Sequence, residues 1–391
     1  MTIGASDEGA AFRIVSHHIG GRGGSIGLPI PKRFEADVIN VLFEADEDCV
    51  AQALDWWKQR SNCETRVYPY CLWREDDEIE FSINFDPFTS SIYSFNEDYS
   101  LYYQAVAGED YLLGEACRTV QVRRLAARSL DSLVSEGTVP PPDFLSVDTQ
   151  GSEWDILSGA ARSIAENVLA IRVEVAFAEI YRGQKLFGDM HTLLTGAGFE
   201  LFDLSSAAEL SSARGPIGTR GRHQPGFADA LYFRRLDAIP AGRPASSSVA
   251  LHKLAAISAW FGFVEYSLEA IAKAKRTANR TPGVTVAYME FLGAVERAAH
   301  QMDGRFLPTF GERHTFAQSQ ARFLATGKSS LGRMVGRHGV RPLRRFFYRL
   351  VKVPELRRAA SVERVFRQYA LASVAALLKR NRRGDIRRTI D

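Results

Sequence analysis

Residues Phe144–Ala160 read FLSVDTQGSEWDILSGA, and their grammar sets the fold. A short apolar run (FLSV) is extended, Asp148 ends it, Gly151 permits a turn, and an amphipathic helix follows. Ser152 to Asp155 reads as a capping box at that helix start. A strand that delivers a carboxylate into a turn and then a helix is the unit of an α/β sheet, whose ligands lie beyond the carboxyl ends of its strands.

The same unit recurs on both sides. Upstream, strands are expected at Arg13–Ile19, Asp37–Glu44 and Thr65–Trp73; downstream, at Leu169–Phe177, Phe199–Leu204 and Ala230–Phe233. Helix-compatible segments, Asp48–Gln59, Glu153–Ile164 and Gly188–Gly196, lie between most of them. Together with Asp143–Asp148 this gives a doubly wound, mainly parallel sheet. Glu78–Phe85 alternates apolar and polar residues, as an inserted antiparallel strand would, and leads into the polar and aromatic loop PFTSSIYSFN.

Two loops carry chemistry. Ile19–Gly27, IGGRGGSIG, lets the backbone turn tightly and approach a ligand. No GK[ST] follows, so it is not a P-loop; Ile26 stands where a dinucleotide fingerprint needs its last glycine, and Pro29 and Pro31 interrupt any helix. The second strand ends in Glu44, with Asp46 close behind, where a carboxylate is placed to accept from the vicinal hydroxyls of a ribose. A glycine turn and a strand-end acid without a phosphate grip suit an adenosyl ligand such as S-adenosylmethionine.

In order along the chain, IGGRGG, VLFEAD, RVYPYCLW with FTSSIY, RSLDSLV, FLSVDTQGSEWDIL, IRVEVAFAEIYRGQ and ADALYFRR resemble the motifs of the FkbM-type methyltransferases, over roughly residues 12–235. The resemblance implies a seven-stranded Rossmann-like class I methyltransferase sheet with its last strand antiparallel. It implies S-adenosylmethionine as cofactor and O-methylation of a hydroxyl on a glycan or secondary metabolite. By position it implies cofactor contacts from Gly20, Gly21, Gly23, Glu44, Asp46 and Ser91, and it places Asp148 toward the reacting centre, with Glu174 as a further acid inside the fifth strand. Arg172, two residues from Glu174 on the same strand face, is the expected partner of that buried acid. The chain departs from the family at His18, where an Asp usually stands two residues before the first motif glycine; the loss of that carboxylate removes an anchor for the cofactor's amino group or for the loop.

A sugar hydroxyl needs a base to become a nucleophile at neutral pH. Asp148 is the first candidate, Glu174 the second, and His223, in the GTRGRHQPGF loop, the third. Tyr181, Gln184 and Tyr93 are candidates for positioning the acceptor, and His191 is read as a surface helix residue. No metal is expected: the four cysteines form no CxxC pair and the eight histidines no HExxH.

A formal net charge of +3 hides a split. Up to Arg235 there are 21 Lys and Arg against 35 Asp and Glu; beyond it, 28 against 11. A Pro/Gly/Ser stretch follows, so the expected organisation is a methyltransferase domain at 12–236, a linker at 237–248 and a basic helical region at 249–391. Helices are expected at 249–276, 284–301, 315–324, 343–351 and 361–380. Three roles compete for this region: packing on the acidic domain, docking on anionic lipid or on a membrane-bound glycan-assembly enzyme, and nucleic-acid binding, for which no recognisable module is present. With 46% hydrophobic residues the chain is not disordered, and its longest apolar run, Leu254–Val264, is too short to cross a bilayer. The opening residues show no basic, then apolar, leader, so the expected location is cytoplasmic, with peripheral membrane contact through the basic helices. The alternative to an enzyme is a non-catalytic Rossmann-like scaffold recruiting partners or membrane through those helices.

Overall fold

The computed structural model describes residues 12–20, 27–45, 61–106, 109–212, 224–239, 244–277 and 286–300, together with residues 50, 54, 55, 57 and 59. Gly21, Gly23, Asp46 and His223 lie outside these residues, as do most of the helix expected at 48–59 and all of 301–391.

Five strands run parallel in the order β3 (Glu64–Tyr68), β2 (Val38–Phe43), β1 (Ile14–Ile19), β9 (Phe144–Val147) and β10 (Ala170–Ala176). The last strand, β12 (Gln224–Arg234), inserts antiparallel between β10 and β11 (Phe199–Ser211). These seven are the expected sheet. The structure adds two more at its edge, a hairpin of β6 (Tyr103–Val106) and β7 (Glu109–Leu112) that pairs with the bulged end of β11, making nine strands. Strands this short carry no readable alternation.

The expected strand 65–73 is two. Pro69, with no N–H to give a ladder, ends β3, and β4 (Cys71–Leu72) joins a separate three-stranded sheet. In that sheet the inserted strand β5 (Asp77–Asn84) pairs antiparallel with β8 (Thr119–Arg128). The helices α1 (Leu113–Ala116), α2 (Leu130–Ser135), α3 (Glu153–Ser158), α4 (Ala161–Glu166) and α5 (Phe187–Gly196) complete the connections. The helix expected at 153–164 is thus two, broken at Gly159, where a side chain would strike the Trp73 carbonyl.

The fully buried strand β1 carries an unusual load of polar groups. Val15 and Ile19 join Val41, Phe43, Leu145 and Val147 in the main core, and the His17 ring packs 5.4 Å from that of Phe43. Ser16, His18 and Asn40 face the opposite side, and their side chains have no hydrogen-bond partner among the described residues. Burial lowers His17 to about 3, weakly opposed by the Pro140 backbone; burial first, and then the positive charge of Arg172, lower His18 to about 4.

The compact unit that holds the sheet extends through Ser258 and resumes over 265–285. It includes most of α6 (Pro244–Trp260) and α7 (Val264–Thr277). The helix expected at 249–276 is therefore two, separated near Gly262 (φ +91°), and the first starts inside the stretch read as a linker. Lys253 on α6 binds Asp143 at 2.7 Å, and the same carboxylate accepts from the Val15 backbone at the start of β1. Tyr266 on α7 lies against Phe202 and Phe233 and donates to the Arg234 carbonyl. Arg234 itself, 3% exposed, donates to the carbonyls of Val168 and Ile164, tying the end of β12 to α4. The second compact unit comprises 259–264 and 286–391; its described part includes α8 (Val286–His300), with the Trp260 and Tyr288 rings 6.1 Å apart. Among the described residues no helix is long and apolar enough to cross a membrane.

The buried histidines give a pH test. Their folded pKa values are depressed, so protons favour the unfolded chain. The stability tied to the neutral rings is whole above about 6.5 and is lost as pH falls toward 4. Measured by urea unfolding, His17→Phe or His18→Asn should gain about 1.4 kcal/mol on wild type for each pH unit below that point. A difference independent of pH would show that the rings are not buried neutral. The comparison with wild type matters because buried carboxylates with raised pKa values, described next, act in the opposite sense.

Candidate functional site

Glycine at position 20 is dictated by contact rather than by turn geometry alone. Its φ is +78°, and a Cβ there would lie 1.9 Å from the Asp148 carbonyl oxygen. The Asp148 N–H in turn donates to the Ile19 carbonyl at 3.0 Å. The ends of β1 and β9 are thus pressed together, and a cavity of about 640 Å³ opens over them, within the range usual for small-molecule sites. Sheet order sets the order of its lining: Glu44 beyond β2, Gly20 beyond β1, Asp148 beyond β9, Glu174 on β10 and Phe227 on β12. The insert supplies Phe81 and Asp86–Ser90.

The turn after β9 is held by a residue whose role the sequence reading missed. Glu153, 6% exposed, accepts from the backbone N–H of Thr149 (2.7 Å) and of Gly151 (3.0 Å). The expected capping box is absent: the Ser152 hydroxyl bonds to Thr149 Oγ1 and makes no side-chain cap. Glu153 shapes the turn so that Gln150 takes the left-handed conformation (φ 59°) and its amide donates to Asp148 Oδ1 at 3.0 Å. The clue in the sequence was an acid just inside a helix start with a glycine two residues before it, where carboxylates meet unpaired N–H groups.

Asp148, Glu153 and Glu174 bring carboxylate oxygens within 4.8 Å of one another. Glu153 already uses both oxygens on backbone N–H groups, so two carboxylates remain for chemistry. Burial and then the charge of Asp148 push Glu174 well above an ordinary Glu. Burial raises Asp148 too, but the Gln150 amide restrains it. Burial also lifts Glu153, to about 7, against the pull of its backbone donors. Arg172 is not the partner of Glu174: it pairs with Asp229 at 2.6 Å, across the β10–β12 ladder.

Other candidates are held elsewhere. Ser91 is fully buried, and its hydroxyl donates to the Gln150 carbonyl at 2.6 Å, tying the insert to the turn instead of lining the cavity. Tyr93 donates to Asp155 (2.7 Å), Tyr181 to the Thr89 carbonyl (2.8 Å), and Gln184 accepts from the Tyr181 backbone. Tyr93 ties the insert to α3 and Tyr181 ties it to the loop after β10, while Gln184 closes a turn within that loop. His191 is half-buried and meets the Tyr232 hydroxyl at 3.2 Å. His18 points to the sheet face away from the main core and does not line the cavity.

Residues 31–201 match the family model described as the methyltransferase FkbM domain. The resemblance to the FkbM-type family is shown for that segment, which contains Glu44, Asp148, Glu153 and Glu174, while β1 with Gly20 and β12 with Phe227 complete the sheet around it. Two solved structures are similar at a low level. One is methyltransferase FkbM from Methylobacillus flagellatus KT, at 14% identity and a TM-score of 0.26, covering 50% of this chain and 37% of that one. The other is magnesium protoporphyrin IX methyltransferase (ChlM) from Synechocystis PCC 6803 with bound SAM, at 10% identity and a TM-score of 0.28, covering 57% and 72%. No curated protein matches this sequence.

Three substitutions test the geometry. Glu153→Ala leaves two backbone N–H groups without an acceptor and should lower stability by about 2–5 kcal/mol in urea unfolding. Gly137 also has a positive φ (+74°), but open space around it, so Gly137→Ala should cost about 1 kcal/mol and Gly20→Ala several times that. Equal costs would mean that the β1–β9 contact is not what requires glycine.

Proposed function

We propose that the cavity binds S-adenosylmethionine and that the chain is an O-methyltransferase acting on a hydroxyl of a glycan or secondary metabolite. The observation that carries this reading is the convergence of Gly20, Glu44, Asp148 and Glu174 on one cavity beyond the strand ends, within and beside an FkbM-type segment. The residues present fit the cofactor: Gly20 leaves the cavity floor at the β1 end without a side chain, and Glu44 lines the cavity at the β2 end, where a ribose diol can donate to it.

When bound, S-adenosylmethionine supplies a methyl group made electrophilic by its sulfonium. The chain's own groups do the rest. Glu44 would hold the ribose hydroxyls at the β2 end of the cavity, and Asp148 lines the same cavity two strands along, beyond β9. The acidic cluster gives that region a negative potential suited to a sulfonium. The environments of Asp148 and Glu174 separate their roles, as they do wherever two close carboxyls are pushed apart in pKa. Asp148, the less strongly raised, ionises and accepts the proton of the hydroxyl whose oxygen takes the methyl group. Glu174, the more strongly raised, stays protonated and donates a hydrogen bond that orients the same acceptor. Much of the rate then comes from holding that oxygen in line with the methyl carbon.

Calorimetry with the full chain should show S-adenosylmethionine binding, weakened about tenfold to a hundredfold by Glu44→Ala. Asp148→Asn should keep that affinity and abolish transfer of a labelled methyl group. The wild-type rate should fall on the acid side at a pH above that of an ordinary Asp, because Asp148 must be ionised. Absence of cofactor binding would overturn the reading.

A further inference from the structure

The cavity does not end at the two acids. Beyond Glu174 the sheet continues through β12 and β11 to the added hairpin, and that hairpin contributes Gln104 from β6 and Tyr111 from β7 to the lining. A small recess of about 20 Å³ continues the space here, bordered by the same two residues with Glu174 and Phe227.

Gln104 is 4% exposed, a position where an amide must be satisfied. One end of its amide donates to the Tyr111 hydroxyl at 2.5 Å, and its other end makes no hydrogen bond among the described residues. The Tyr111 oxygen accepts that bond and keeps its own proton to give. The Glu174 carboxyl likewise has no hydrogen-bond partner among the described residues, and its charge reaches the Tyr111 phenol. Three polar ends, an amide, a phenol and a carboxyl, are therefore unclaimed at one end of a cavity that Phe227 and Phe88 border with apolar rings. Phe88 is 61% exposed, so its ring is accessible to a ligand in the cavity that it lines.

We infer that Gln104 and Tyr111 form an acceptor subsite that holds a second hydroxyl, next to the one methylated, on a pyranose-type ring whose apolar face lies on Phe227 and Phe88. The chemistry matches group by group. A ring bearing neighbouring hydroxyls offers a donor to the Gln104 carbonyl and an acceptor to the Tyr111 O–H, and its C–H face covers the phenyl rings. A single alcohol satisfies Glu174 and leaves Gln104 and Tyr111 without the partner that a second hydroxyl supplies, which makes it the weaker ligand. Acceptor choice is thus carried by the hairpin, and cofactor binding by β1 and β2. This rests on the reading of the cavity as a methyl-transfer site.

The test uses the full chain loaded with S-adenosylhomocysteine, so that no probe is consumed. Saturation-transfer NMR compares methyl α-mannopyranoside, methyl α-rhamnopyranoside and myo-inositol with cyclohexanol. The vicinal-diol rings should bind and cyclohexanol should not. Gln104→Leu and Tyr111→Phe should each weaken the diol probes by about three- to tenfold, the loss of one neutral hydrogen bond, with unchanged S-adenosylmethionine affinity showing that the site is still folded. If the cofactor binds but the diols bind no better than cyclohexanol, or the variants bind them as wild type does, the subsite is overturned while the methyltransferase reading stands. If the cofactor itself does not bind, the underlying reading falls first and this one with it.

Discussion

The contact between Gly20 and the Asp148 carbonyl governs the rest of the site. Two parallel strands are brought so close at their ends that no side chain fits between them. The Asp148 N–H to Ile19 carbonyl bond extends the β1–β9 ladder by one step past its last strand residue. The chain must then turn at once, and the turn is possible because Glu153 collects the N–H groups that it leaves unpaired. Every later feature, the left-handed Gln150, the amide on Asp148 and the Ser91 tether from the insert, follows from that turn.

Electrostatics and burial act on the same groups with different results. Three carboxyls share a few ångströms, yet each has a distinct set of donors. Among the described residues Glu153 accepts from two backbone N–H groups, Asp148 accepts from the Gln150 amide, and Glu174 meets the charges of its acidic neighbours. Like charges in a low-dielectric space cannot all ionise, so the donor supply decides which of them carries charge. One cluster therefore holds three carboxyls in three different electrostatic settings, which is what the proposed division into a base and a hydrogen-bond donor needs.

The sequence made the strand scaffold legible because the strands are short, apolar and punctuated by Gly, Pro and acids. Gly20, Glu44 and Asp148 were legible as residues at strand ends, Glu174 only through the family resemblance, and all four line one cavity. What escaped was set by contacts distant in sequence. Arg172 was assigned to Glu174 by their shared face, but the β10–β12 register brings Asp229 to the same place. Tyr93, Tyr181 and Gln184 have the chemistry of substrate ligands, and tertiary packing turns them inward as clamps. The hairpin β6–β7 was invisible because its strands are four residues each and are stabilised by a bulged neighbour rather than by their own pattern.

The helices after the sheet also change how the chain's two halves are understood. The charge balance divides at Arg235, but Lys253 reaches back to Asp143, which grips the start of β1. That grip lies at the opposite end of β1 and β9 from Gly20 and Asp148. The two central strands are consequently clamped at both ends, by a lysine from the helical segment at one and by a glycine contact at the other. The electrical boundary of the chain is thus not its mechanical boundary: a break at Arg235 would part Lys253 from the carboxylate that holds the start of β1, at the far end of the strands whose tips form the floor of the cavity.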